Sequence, residues 1–126
     1  MSFAYVDTSC LVAIAFDEPG ARRLARRLAR FERRLAANLL EAELRAALAR
    51  ERVSGGEQLL GWITWVHPNR PLTPEFERIV PLGPLKGADV WHLACALFLA
   101  PAERDLVFLT LDKRQREVAA RLGFGA

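Results

Sequence analysis

The stretch that most constrains this chain is its start, where Phe3, Ala4, Tyr5 and Val6 form an apolar run that stops at Asp7 and is followed by Thr8 and Ser9. A short, unbroken apolar run fits a strand buried on both faces, the situation of a central strand in a parallel sheet. An acid at its end is then delivered to the carboxyl edge of the sheet, where open α/β sheets place their ligands. Three more acids, Glu43, Asp89 and Asp112, are expected to return to that edge.

The rest of the chain supports this frame. Thr8 to Phe16 is expected to be an apolar helix capped by Thr8 and Ser9 and broken by Asp17, Glu18, Pro19 and Gly20. A basic amphipathic helix follows from Ala21 to about Arg33, with Leu24, Leu28 and Phe31 on one face and Arg22, Arg26, Arg30 and Arg33 on another. A second strand is predicted over Arg34 to Ala37, and Asn38 opens a helix to about Val53. Ser54, Gly55 and Gly56 then form a hinge to a helix from Glu57 to Val66 carrying Trp62 and Trp65, so that the pair makes a protruding αα-hairpin. The five prolines between His67 and Pro84 exclude a long helix and leave a weak third strand near Arg70 to Leu72 and a turn or two around Glu75 to Ile79. A strong helix runs from about Asp89 to Leu99 and stops at Pro101. Leu106 to Thr110 is a buried strand, and Lys113 to Leu122 is a closing helix with Gly123 as its cap. This order predicts a three-layer α/β/α sandwich with a mostly parallel sheet, as one domain over residues 1–126.

Taken singly, each acid has an ordinary use. Asp7 and Asp112 both follow strands and suit helix caps, and Asp89 in a first turn suits the helix dipole. Glu43 is harder to dismiss, because its helical neighbours Leu39, Leu40, Ala46 and Ala47 are all apolar, whereas Glu41 has Arg45 four residues on and sits naturally in water. Carboxylates gathered in one buried place cannot all stay ionised without a cation, and an all-oxygen set selects a hard ion, Mg2+ or Mn2+. Phosphodiester hydrolysis is the reaction such a site suits. His92, one position short of a helical turn from Asp89, could stand near the site, but a lone helical histidine is more often packed or solvated.

The bulk numbers narrow the partners. The formal charge is +3, and setting the four acids aside leaves a clearly basic surface, compatible with a polyanion. The longest apolar run, Leu93 to Ala100, is too short to cross a bilayer, and Asp7 interrupts what would be the apolar part of a signal peptide. Cys10 and Cys95 lie in apolar helical surroundings, as buried thiols do in a reducing cytosol. A cytoplasmic protein is expected.

At these residues the chain resembles the PIN domain family, and within it the toxin nucleases of VapBC-type toxin–antitoxin pairs. The matching stretches are YVDTSCLV around Asp7, LEAELRAAL around Glu43, KGADVWHLACAL around Asp89 and FLTLDKRQREVAARLGF around Asp112. The resemblance implies a Mg2+- or Mn2+-dependent ribonuclease with Asp7, Glu43, Asp89 and Asp112 as metal-binding and catalytic acids and Thr8, Ser9 and Thr110 as polar supports. It also implies an RNA substrate, a homodimer and a small antitoxin. The basic helix of Arg22, Arg26 and Arg30 reads equally as a solvated face or, with Trp62 and Trp65, as a contact for RNA or an antitoxin. Two departures stand out: the proline-rich stretch before Asp89 is shorter than the family's usual helices, and the last residues, Gly125 and Ala126, lie where many members continue into an edge strand. A non-catalytic RNA-binding or scaffolding module is the alternative. A phosphoacceptor receiver domain fits less well, since no Asp occurs between Asp17 and Asp89 to follow a middle strand.

Overall fold

A computed structural model describes residues 2–100 and 106–126. Four parallel strands form the central sheet in the order β3-β2-β1-β4. They are β1 (Phe3–Val6), β2 (Arg33–Ala37), β3 (Ile63–Val66) and β4 (Val107–Leu109). The helices are α1 (Thr8–Ala15), α2 (Ala21–Ala29), α3 (Leu39–Arg50), α4 (Thr73–Ile79), α5 (Gly87–Leu99) and α6 (Lys113–Arg121).

Alternation along the strands divides the core between the two faces of the sheet. Ala4, Val6, Ala36 and Leu109 face Leu11, Leu28, Leu40 and Leu44 of α1, α2 and α3. Tyr5, Leu35, Ala37 and Phe108 face Leu93, Ala94, Leu97 and Val118 of α5 and α6. Helices on both faces bury the sheet twice over, which is why β1 carries no charged side chain and β2 is apolar from Leu35 to Ala37. The α/β/α arrangement is the one expected. Among the described residues no helix is long and apolar enough to cross a membrane.

Several boundaries differ from those expected. The clearest correction concerns the αα-hairpin: Glu57–Trp62 is a short 3-10 helix, and Ile63–Val66 is the third strand, pairing with Arg34 to Ala37 of β2. No strand forms near Arg70 to Leu72, where Leu72 instead leads into α4. Trp62 and Trp65 therefore do not protrude, but pack half-buried against the face covered by α1 and α3. Arg34 fastens this corner, donating to the carbonyls of Leu28 (2.9 Å), Phe31 (2.8 Å) and Trp62 (3.2 Å), with its guanidinium 5.7 Å from the Trp62 ring centre. The glycine hinge has a steric reason: a Cβ on Gly56 would lie 2.9 Å from Leu48 Cδ2 and 3.1 Å from Ala15 Cβ.

Helix ends shift as well. α2 stops at Ala29, so Arg30 caps it and Arg33 belongs to β2. α3 stops at Arg50 rather than Val53, and Asn38 makes no side-chain cap, reaching Glu41 instead. The expected stop of α5 at Pro101 lies outside the described residues. Beyond α6, Gly123 takes a left-handed φ of 98°, and Gly125 forms one parallel bridge to Val107. A single bridge thus occupies the place of an edge strand.

Candidate active site

Asp7, directly after β1, and Asp112, a short turn after the adjacent parallel β4, cap the helices that follow, so both stand at the carboxyl edge of the sheet. Asp7, not Thr8 or Ser9, is the cap of α1: its Oδ2 accepts from the Ser9 amide (3.1 Å) and the Ser9 hydroxyl (2.6 Å). The Thr110 hydroxyl is a further donor within reach of Asp7 Oδ2, at 3.2 Å. Asp112 Oδ1 accepts from the Gln115 amide at 2.9 Å. Each aspartate keeps its other oxygen clear of hydrogen bonds from described residues.

Ser9 and Thr110 knit the two strand ends together. Ser9 Oγ accepts the Leu111 amide at 3.1 Å, and Thr110 Oγ1 accepts the Asp112 amide at 3.0 Å. Thr110 Oγ1 also lies 2.6 Å from Oε1 of Gln115, a wholly buried side chain whose amide nitrogen reaches the Asp89 carbonyl at 3.4 Å. Gln115 thereby ties the first turn of α5 to the start of α6. Sequence reasoning missed it, although a glutamine three residues beyond a capping Asp is a recurrent cap partner.

Glu43 arrives from the second turn of α3, just after β2, and Thr8 donates to its Oε1 at 2.7 Å. His92, fully buried in α5, contacts the same oxygen through Nε2 at 2.8 Å and places Nδ1 2.9 Å from the Tyr5 hydroxyl. His92 is thus packed, as a lone helical histidine usually is, but packed onto a site acid. The signal for it lies in its spacing of three residues from Asp89, whereas its partner Tyr5 is remote in sequence. Glu41 is the solvated residue expected, paired with Arg45 at 2.7 Å.

The electrostatics record which acids are near each other. Burial pushes the Asp89 carboxyl up, and the negative charges of Asp7, Asp112 and, least, Glu43 push it further, with His92 opposing. The effect on Glu43 is opposite: burial pushes it up, but the hydrogen bonds from His92 and Thr8 together outweigh burial and hold it below the usual carboxylate range. Of the other acids, Asp7 and Asp112 act most strongly on Asp89 and Glu43 least. Among the described residues, no three of His, Cys, Asp and Glu stand in an arrangement that would hold a metal ion as they are. The chemistry of the four side chains nevertheless fits a hard divalent ion, since every donor they offer is a carboxylate oxygen.

The remaining candidates lie apart. Arg22, Arg26 and Arg30 are exposed along α2 and its end, and no ion pair among the described residues joins them to the acids. Burial pushes both thiols up to about 12, so neither Cys10 nor Cys95 is a thiolate nucleophile at neutral pH. One cleft, about 360 Å³, lies between Val80 and Val90 with none of the four acids in its lining, and a smaller one of about 140 Å³ reaches Thr110 from Arg27 and Arg116.

The PIN domain family model matches residues 4–121, nearly the whole chain. The chain belongs to the PIN domain family, whose members are generally nucleases and generally use divalent metal ions. No curated protein and no solved structure matches it.

Proposed function

We propose that this PIN domain is a Mg2+- or Mn2+-dependent endoribonuclease, acting as the cytoplasmic toxin of a toxin–antitoxin pair. The observation that supports the reading is that Asp7 and Asp112 cap helices at the same carboxyl edge, after the paired strands β1 and β4, with Asp89 raised first by burial and then by the charges of those two acids. Asp7, Glu43, Asp89 and Asp112 would hold the metal, and Thr8, Ser9 and Thr110 fix the carboxylates through the bonds described above. When bound, the ion supplies the positive charge that polarises a phosphoryl oxygen and activates the attacking water. Hydrolysis would form a P–O bond from the water as the ester P–O bond breaks, the proton lost by the water being returned to the leaving oxygen. Asp7 and Asp112 contribute pre-set orientation, because strand ends and helix caps hold them before substrate arrives.

The basic face of α2 suits a polyanion or an acidic partner segment. Arg22, Arg26 and Arg30 would meet RNA phosphates or a small antitoxin, whose apolar side chains would extend toward Trp62 and Trp65. A homodimer completes the proposal. A receiver domain is disfavoured because β3 ends at Val66 and is followed by His67 and Pro68, with no acid to accept a phosphoryl group. Purified protein is expected to cut unpaired RNA with Mn2+ and not with EDTA, and Asp7→Asn or Asp89→Asn to abolish cleavage while remaining folded by circular dichroism. Full cleavage by either variant would refute the mechanism. RNA binding without cleavage by the wild type would return the chain to the non-catalytic alternative.

A further inference from the structure

The buried polar chain behind Glu43 has a direction. Tyr5 Oη accepts the Ala37 amide at 3.1 Å and stands 2.9 Å from His92 Nδ1, to which it can give its own proton. Burial raises the Tyr5 hydroxyl well above its ordinary range, so that proton stays on oxygen. The ring of Tyr5 is held in place by stacking on Phe108, with centroids 5.4 Å apart and planes 4° from parallel. With Nδ1 an acceptor, His92 must carry its hydrogen on Nε2, which faces Glu43 Oε1 at 2.8 Å. Thr8 aims at the same oxygen, so both donors occupy Oε1, and no described residue bonds Oε2.

The geometry points to His92 as a positioning residue: through a fixed Nε2–H tautomer set by Tyr5 and the Ala37 backbone, it locks the Glu43 carboxylate with Oε1 engaged and Oε2 presented to a divalent cation. This rests on the metal-dependent reading proposed above. A buried neighbour that orients a ligand carboxylate typically changes metal affinity by about 10- to 100-fold when removed. His92 is well suited to that task, since its side chain is 1% exposed while that of Glu43 is 34% exposed, so the rigid partner steers the freer one.

The test compares His92→Phe, which fills the space without a donor, with His92→Gln, whose amide nitrogen can stand where Nε2 stands. Mn2+ affinity is measured by calorimetry without RNA, kcat and KM are measured separately on RNA, and nitrogen NMR of the wild type reads the tautomer. The wild type is expected to show the Nε2–H form. H92F is expected to lose about tenfold or more in Mn2+ affinity and in kcat with an unchanged KM for RNA, and H92Q to recover most of both. An Nδ1–H tautomer, or an H92F protein that binds Mn2+ as the wild type does, would overturn the positioning role while leaving the nuclease reading intact. The tautomer measurement decides even where H92F does not fold. A wild type that neither binds Mn2+ nor cleaves RNA would overturn the nuclease reading itself, and the positioning role with it.

Discussion

Thr110→Val is a nearly isosteric change that removes one hydroxyl from the junction between β4, α1 and α6. That hydroxyl lies 2.6 Å from Gln115 Oε1, accepts the Asp112 amide at 3.0 Å and reaches Asp7 Oδ2 at 3.2 Å. Gln115 is wholly buried, so its carbonyl oxygen would lose a partner where water cannot replace it, a penalty of about 1–3 kcal/mol. The Asp112 amide sits on an exposed residue and can turn to water, and Asp7 keeps both donors from Ser9, so these add little. A net loss of about 1–3 kcal/mol is expected, which for a domain of this size is a fall of about 4–12 °C in Tm. Thr110→Ser keeps the hydroxyl and loses one methyl, for a loss of about 1 kcal/mol. Urea unfolding of the three proteins in EDTA measures the difference. A Val variant within about 0.5 kcal/mol of wild type, or a Ser variant as damaged as the Val one, would refute the bonding described at this junction.

Two further perturbations probe other parts of the molecule. Glu75, almost buried in α4, takes two bonds from Arg70 (2.6 and 3.0 Å), and the bond to Arg70 holds its carboxyl below the usual range against the opposing effect of burial. A depressed folded-state pKa gives stability that is present above the ordinary glutamate range and is lost as pH falls through the lowered value, so Glu75→Gln should be less stable than wild type at pH 7 and converge with it in acid, as read by thermal melts against pH. Replacing Arg22, Arg26 and Arg30 together with Gln should weaken RNA binding and flatten its salt dependence by about one unit of slope for each phosphate no longer neutralised, or else loosen the antitoxin complex and leave RNA binding alone; no change in either would leave α2 as a solvated face.

The local patterns that carry furthest are those whose meaning is fixed by their immediate neighbours. The run ending at Asp7 is a central strand, Leu106 to Thr110 contains β4, and the apolar surroundings of Glu43 against the Arg45 partner of Glu41 separate an inward from an outward carboxylate. Strand β3 reads as helix because Leu59, Leu60, Trp62 and Ile63 keep helical spacing across a 3-10 turn, and only four residues of strand remain to display alternation. Its β-branched Ile63, Thr64 and Val66 are the contrary signal, decided by pairing with β2 rather than by local preference. The proline-rich segment offers no periodicity on which to choose a strand. Gln115 and the bonding of His92 to Glu43 escape for a different reason, since the partners that give these residues meaning, Thr110 with Asp89 and Tyr5 with Glu43, come together only when the sheet closes.

The nuclease reading stands or falls on whether Asp7, Glu43, Asp89 and Asp112 serve one cation. An anomalous-difference map from a crystal soaked in Mn2+ answers that without recourse to activity. Density is expected in the crevice at the carboxyl edge of β1 and β4, bonded to Asp7 and Asp89 with Asp112 or Glu43 completing the set, and absent from crystals of Asp89→Asn. Manganese bound elsewhere on the chain, or nowhere at millimolar concentration, would rule out a shared cation at these four acids.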